Sequence, residues 1–375
     1  MIIAIDARAW AWAGVGRYVR NLITGLAQID RKNTYIILIG PEDLPLWQEN
    51  AFVQRTDNFS VKTVDSSYYT WREQVIFWQQ AKRVRADLWH FPNFNVPVMF
   101  RQPYVVTVHD ITRFIFPGQR QQGLLKQIVY EQVFKRAVEQ AVGAIFVSNA
   151  TCNELNALPI NAPVNTKVIY EGVEGQFYQK ISDTSRQEIE KMLNKRNYLL
   201  YVGVWMNHKN LPRLLEAYAN IAIKHKKIDL VLTGNAMPGF VDAKKLAQRL
   251  RIDAGRIKFV GHIKDQLLPA LYAGATMLVF PSLYEGFGLP AIEAAACGTP
   301  VITANVTSLP EVMGKGAAFV NPENTADIER AIELVLTDNI YRQKLIMFGR
   351  NQAKRYLWEN CAKQTLEFYQ EVVKS

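Results

Sequence analysis

Short apolar runs of three to five residues alternate with longer stretches of helical periodicity along nearly the whole chain. The runs are Ile2–Ile5, Tyr35–Leu38, Asp87–His90, Tyr104–Val108, Ala144–Val147 and Lys167–Ile169, then Leu199–Val202, Asp229–Leu232, Ile257–Val260, Met277–Phe280, Pro300–Thr303 and Ala317–Val320. Helical patterns such as Arg17–Gln28, Leu124–Val142, Leu211–His225 and Asp242–Leu250 lie between them. Apolar runs too short for helices, joined by helices, pair in parallel and need helices on both faces. The expected fold class is therefore α/β. The charged, strand-poor segment Asp183–Arg196 interrupts the alternation, which restarts at YLLYVG. This predicts two similar domains, 1–185 and 186–355, with a ligand cleft between them. Residues 356–375, rich in aromatics, are expected to pack back as a helix on the N-terminal domain.

Composition narrows the function less than the pattern narrows the fold. The 375 residues carry a net charge of +10, spread over both halves with no basic tail. A diffuse basic surface suits anionic small molecules, an anionic membrane face or nucleic acid, and charge alone does not choose. No basic stripe interleaved with aromatics is present, so nucleic acid is not an expected partner. Three scattered cysteines, Cys152, Cys297 and Cys361, argue against a disulfide framework or a zinc site. The opening MIIAIDARAWAWAGVG lacks a basic start and has Asp6 and Arg8 in its apolar stretch, unlike a signal peptide. No apolar run is long enough to span a bilayer, so a cytoplasmic location is expected. Arg120, Lys126, Lys135 and Arg136 accompany the helical stretch Leu124–Val142, which reads as an amphipathic helix facing its own core or as a peripheral membrane contact.

The most informative stretch is MLVFPSLYEGFGLPAIEAAACGTPVITA, residues 277–304. A buried-type strand ends at Pro281, and Gly286 and Gly288 flank Phe287 in a loop that brings backbone close to a ligand. Pro290 suits the first turn of a short helix expected over residues 290–297, and Gly298 suits its left-handed end. The start of that helix is an anion site suited to phosphate. Glu285 lies before it and Glu293 about one turn inside it. Carboxylates repel phosphate but accept well from sugar hydroxyls. Phosphate-binding N–H groups between two such carboxylates describe a nucleotide-sugar site. A lone pair of glutamates would read as surface charge, but this pair sits amid AAAC and helix punctuation.

Three weaker elements accompany it. In YVGVWMNHKNLPRLLEAYA a strand ends at Gly203, Lys209 lies at the loop's end, and Asn210 is a candidate N-cap. A lysine there can neutralise a diphosphate as a point charge. Gly14 and Gly16 follow the first strand and precede a helix expected near Arg17. His109 and Asp110 end the strand Tyr104–Val108, and His90 and Asn93 sit at another strand end; such ends bind ligands in α/β proteins. Each also reads as a turn or a packed loop.

Taken in order, GVGRYVRNL, VHDIT…FP, IYEGV, YVG…HKNLPRLLEA, VGHI, EGFGLPAIE, CGTPVI and SLPEV make the chain resemble the retaining glycosyltransferases of family 4 over nearly its whole length. The resemblance implies the GT-B fold, two Rossmann-like domains facing each other across a cleft. It implies transfer of a hexose from a nucleotide diphosphate-sugar to a saccharide or lipid-linked acceptor in polysaccharide or glycoconjugate synthesis. By position, Glu293 would hold the ribose, and Glu285 with Gly286, Phe287 and Gly288 would hold the sugar and β-phosphate. Lys209 would neutralise the leaving diphosphate, Gly16 would sit near it, and His109 would sit near the sugar. Gly203, Leu289, Val260 and Gly261 complete the donor site. Such enzymes use a UDP- or GDP-sugar as co-substrate, with no other cofactor and no metal. The family's arginine between the glycine and Lys209 is missing here; Gly203–Lys209 reads GVWMNHK. Arg17 is a candidate substitute. The alternatives are a nucleotide-sugar 2-epimerase of the same fold, a non-enzymatic anion or nucleic-acid binder, or a transferase-like scaffold without activity.

Overall fold

The computed structural model describes residues 1–50, 53, 56–66, 68–116, 124–235 and 242–374, with residues 124–126 described by backbone alone. The chain forms two compact units. One comprises Met1–Phe114, Gln122–Gly172 and Leu357–Ser375, and the other is built mainly from Val173–Tyr356.

The first unit holds a seven-stranded sheet. Its strands are β1 (Ile2–Asp6), β2 (Thr34–Ile39), β3 (Phe59–Thr63), β4 (Leu88–Phe91), β5 (Tyr104–Val108), β6 (Gly143–Phe146) and β7 (Thr166–Val168). They pair in parallel in the order β3-β2-β1-β4-β5-β6-β7. The order reverses between β1 and β4, so the connections leave the carboxyl ends of these two strands in opposite directions and open a crevice there. The edge strand β3 was not among the expected runs. FSVKT buries none of its residues fully, and a strand that leaves one edge and much of both faces to water lacks an apolar signature.

The second unit holds six parallel strands: β8 (Asn197–Tyr201), β9 (Ile228–Thr233), β10 (Ile257–Gly261), β11 (Met277–Phe280), β12 (Val301–Ala304) and β13 (Ala318–Val320). Their order is β10-β9-β8-β11-β12-β13, which places the reversal between β8 and β11. β11 and β12 are buried from end to end, and β9 is buried past its first residue, because helices cover both faces, which explains why they read as apolar runs. The charged segment beginning at Asp183 is a helix over Asp183–Met192, its first turn closed by Ser182 Oγ accepting from Ser185 N–H at 3.1 Å.

The last helix, Trp358–Lys374, belongs to the first unit. It lies along the helix Gly14–Ile29 and puts Trp358, Cys361, Ala362, Phe368 and Tyr369 into that unit's core. The helix Leu124–Glu139 buries Phe134 and Val138, while Ile128 and Val129 stay exposed. Arg136 Nε donates to the Val98 carbonyl at 3.0 Å and Lys135 lies 3.8 Å from Glu139, so both cations have partners within the unit. Arg120 and the side chain of Lys126 lie outside the described residues.

His90 corrects one expectation. It does not line a strand end but sits inside β4, fully buried, with Nε2 2.8 Å from Thr107 Oγ1 and Nδ1 2.5 Å from the Tyr369 hydroxyl. A neutral ring fits, with Tyr369 donating to one nitrogen and the other donating to Thr107. Burial, with a smaller contribution from His109, pushes its pKa down to about 3. The unfolded chain therefore binds a proton that the native chain refuses between that value and the ordinary range. Stability should rise with pH across this window, level off above about 6.5, and fall as the solution is acidified, by up to about 1.4 kcal/mol per pH unit. Urea denaturation from pH 7 to pH 4 checks this. His90→Gln should be less stable at pH 7 but flatter in pH, and an unchanged slope would assign the acid loss to other groups.

Candidate active site

At the reversal of the second sheet, the β8 and β11 ends bring together two residues 76 positions apart. Lys209 Nζ donates to both Glu285 carboxylate oxygens at 2.8 Å. The local structure that does this is tightly determined. Residues Asn207–Lys209 form a single 3-10 turn, and Asn210 follows in the left-handed region with φ 58°. Asn210 holds the N-cap position of the following helix, as expected, but its side chain makes no capping bond. Its side-chain amide donates to the carbonyls of Pro281 at 2.9 Å and Pro322 at 2.6 Å, tying the β8 loop to the end of β11. Asparagine tolerates this conformation because its short polar side chain bonds locally. Across the loop, Leu283 N–H donates to the His208 carbonyl, and Glu285 N–H and C=O are held by Thr307 and Ser308.

Glu285 is buried, and burying a carboxylate costs several kcal/mol unless a partner offsets it. The lysine offsets it with two charge-assisted bonds, which leaves the ammonium poised at the crevice. Tyr201, below it at the end of β8, keeps a buried hydroxyl; burial, and next the Glu285 charge, raise its pKa well above the ordinary range.

The helix Leu289–Ala296 begins one residue ahead of expectation. Its N-cap is Gly288 at φ 93°, where an added Cβ would lie 2.7 Å from a Leu309 methyl, so only glycine fits. Gly298 closes the far end in the left-handed region, as its position predicts. The start is poorer in donors than the sequence suggests. Pro290 has no N–H, and Ala291 N–H is taken by the Gly288 carbonyl at 3.0 Å. Leu289 N–H has no helical carbonyl behind it. Glu293 is 1% exposed and accepts from the Tyr272 hydroxyl at 2.9 Å. Burial, and next the Glu293 charge, push the Cys297 thiol up to about 12, so this cysteine stays protonated. Phe287 is buried edge-on against Tyr356. Val260 and Gly261 end the edge strand β10, and the Gly261 carbonyl accepts from Gly234 N–H at 2.7 Å. Gly203 sits under that same corner.

The other expected residues belong to the first unit. The helix there starts at Gly14, not near Arg17, so Gly14 and Gly16 lie in its first turn, where N–H groups lack helical acceptors. Gly16 is required by close approach: a Cβ would lie 2.3 Å from the Ala9 carbonyl oxygen. His109, at the end of β5, has Nδ1 2.9 Å from Glu171 Oε1 and Nε2 2.8 Å from the Pro92 carbonyl. Both partners are acceptors, so the ring hydrogen-bonds fully only with protons on both nitrogens. Donation to a substrate hydroxyl requires His109 to exchange one of these partners.

Sequence reading missed the polar cluster at the first unit's own reversal. Arg8 donates through Nε and Nη2 to the Asp6 carboxylate at 2.9 and 2.7 Å, and through Nη2 to Glu73 at 3.0 Å. All three are buried. Burial opposes the Arg8 charge, but Asp6 and Glu73 outweigh it and raise its pKa. The one signal for it was the charged pair in IDAR directly after an apolar strand. No group of three or more His, Cys, Asp or Glu residues suited to a metal occurs among the described residues, and no helix among them is long and apolar enough to cross a membrane.

The two Rossmann-like parallel-sheet units give the chain the GT-B fold of its structural neighbours. Residues 182–352 match the glycosyl transferases group 1, and residues 12–176 match glycosyltransferase family 4. The O-antigen chain mannosyltransferase B of Escherichia coli is 32% identical, over 98% of this chain and 99% of that protein. The O-antigen chain mannosyltransferase RfbU of Salmonella typhimurium is 28% identical, over 71% of this chain and 68% of its own. Among solved structures, sucrose-phosphate synthase from Thermosynechococcus elongatus superposes with a TM-score of 0.79 at 22% identity, covering 99% of each chain. Anabaena HepE in complex with UDP and glucose superposes with a TM-score of 0.76 at 18% identity, covering 98% of this chain and 99% of that one. The chain belongs to the family 4, group 1 glycosyltransferases. The epimerase alternative draws no support from these relatives, which are transferases or share the fold.

The geometry yields a test that needs no substrate. Lys209→Met should lower stability by about 2 kcal/mol or more, because Glu285 is left buried without its cation. Adding Glu285→Gln should recover much of the loss, giving a coupling of roughly 1–3 kcal/mol in a double-mutant cycle followed by denaturation. Additive losses would show that the pair is not coupled.

Proposed function

We propose that the crevice between the ends of β8 and β11 binds a nucleotide diphosphate-sugar and that the chain transfers its hexose, with retention and without a metal, to a saccharide or lipid-linked acceptor in polysaccharide synthesis. The observation that carries this reading is the ion pair of Lys209 with both oxygens of Glu285 at the sheet reversal. An ammonium and a carboxylate held side by side suit a ligand whose phosphates and hydroxyls are also adjacent. On binding, Lys209 turns its charge to the diphosphate and Glu285 accepts from sugar hydroxyls. Leu289 N–H and the positive end of its helix add to the stabilisation of the leaving diphosphate, the charge that grows in the transition state. Gly286, Phe287 and Gly288 bring backbone against the phosphate and sugar. Glu293, held by Tyr272 deeper in the helix, accepts from the ribose. Gly203, Val260 and Gly261 border the nucleotide.

In the first unit, Gly16 is assigned as a backbone donor to phosphate, and His109 as a donor to a sugar hydroxyl after release from Pro92 or Glu171. Lys209 acts without the family's neighbouring arginine, so it carries more of the leaving-group charge here. The names of the two relatives described above make mannose the first sugar to test and GDP-mannose the first donor. A nucleotide-sugar donor suits a reaction on the cytoplasmic side, with contact to the membrane surface if the acceptor is lipid-linked.

A thermal-shift panel of UDP-, GDP-, ADP- and TDP-sugars should show one donor raising the melting temperature. With that donor, Glu293→Ala should weaken binding about tenfold or more, and Lys209→Ala should reduce kcat more than it weakens binding. Transfer should persist in EDTA, and the anomeric configuration of the product, read by NMR, should match the donor. Unchanged kinetics in both variants would remove the site assignment.

A further inference from the structure

The cluster at the first unit's reversal supports something at the surface. Glu73 Oε1 is bonded by Arg8, while its Oε2 accepts from the Tyr69 N–H at 3.0 Å and from the Asn95 amide at 3.3 Å. Glu73 opens a π-helical turn over Glu73–Phe77, a wide turn that recurs at functional sites. The Arg8 guanidinium is sandwiched by Phe77 at 3.6 Å and Tyr68 at 4.2 Å, and its Nη1, though buried, has no hydrogen-bond partner among the described residues. This interior fixes the turn that carries Tyr69, whose φ of 61° is unusual for any side chain but glycine or asparagine. Backbone held in that region by a surrounding network marks a position kept for use.

Tyr69 is 48% exposed and Trp12 is 40% exposed. Their ring planes are 12° apart with centroids 6.2 Å apart, an offset-parallel arrangement. Trp12 also leans on Tyr68 at 5.0 Å, and the Arg113 guanidinium lies 4.9 Å from the Tyr69 ring. Tyr69 also contacts Phe94 and Tyr68, with centroids 6.2 and 6.4 Å apart, so the two aligned rings are anchored to the unit yet keep part of their surface open to water.

We propose that Trp12 and Tyr69 form a stacking subsite for a pyranose ring of the saccharide acceptor. The proposal rests on the transferase reading and names the acceptor's contact. One face of a pyranose presents a patch of C–H groups, apolar and faintly positive, which packs on the electron-rich face of an aromatic ring. The equatorial hydroxyls of that sugar point sideways, into water or toward polar groups. A flat aromatic ledge with a cation beside it suits such a ligand better than an aliphatic chain, which needs a continuous apolar trough. The ledge stands beside the carboxyl ends of β1 and β4, where α/β units hold ligands.

The test reads binding to the full chain without donor. Tetrasaccharides of mannose, glucose, galactose and N-acetylglucosamine are titrated against intrinsic tryptophan fluorescence and by calorimetry. Wild type should bind at least one. Trp12→Ala and Tyr69→Asn should each weaken that saccharide tenfold or more, and Trp12→Phe should recover most of the loss. Asparagine is chosen because it accepts the left-handed backbone. The melting temperature and the affinity for the donor should stay within error and within twofold. The proposal is overturned if wild type binds none of the saccharides, if neither ring matters, or if the variants lose UDP or GDP binding instead, which would make the ledge a nucleobase site. Failure to bind any nucleotide-sugar is a separate result that removes the transferase site and not the ledge.

Discussion

A lysine ammonium bonded to both oxygens of a buried carboxylate is the interaction on which the second unit's site depends. It solves an electrostatic problem created by the fold. Parallel strands whose order reverses leave a crevice at their carboxyl ends, and a crevice floored by β11 gives Glu285 little access to water. An unpartnered carboxylate there would take up a proton or push the loop open. Lys209 prevents both, and the ties from Asn210 to Pro281 and Pro322 keep it within reach. The charges are thereby organised before any ligand arrives, which is what electrostatic catalysis needs.

The first unit applies the same logic with a different purpose. Its reversal lies between β1 and β4, and the charges found there, Asp6, Arg8 and Glu73, are sealed in by aromatic rings. They hold a turn, and that turn carries the exposed ring of Tyr69. One sheet places a charged pair at its reversal and the other places a rigid scaffold, a division that fits a donor rich in phosphate and an acceptor rich in neutral hydroxyls.

Much of the fold was legible because buried parallel strands are short, apolar and punctuated. β11, the helix Leu289–Ala296 and Gly298 came out nearly as read, since proline, glycine and a strand end each impose a backbone geometry that neighbours cannot override. β3 was not legible, because an edge strand with no fully buried residue has no apolar run to show. Asn210 is the N-cap residue, as its place before a helix indicates, yet its side-chain amide bonds two proline carbonyls from distant loops, which local sequence does not reveal. His90 looked like a site residue because it ends an apolar run, but the strand continues past it to Phe91, and Tyr369 and Thr107 close over its ring.

From the sequence by itself came the α/β class, the two parallel sheets, the glutamates on either side of a helix start, and a lysine at a strand end. All of these follow from spacing along the chain and local backbone rules. The tertiary structure alone decided which charges meet. Lys209 and Glu285 are 76 positions apart, and Arg8 and Glu73 are 65 apart. A hydrogen bond acts over about 3 Å, whereas the sequence specifies distance only along a flexible chain. Sheet order turns one kind of distance into the other, and it is set by the packing of whole strands and helices rather than by any of the residues it brings together.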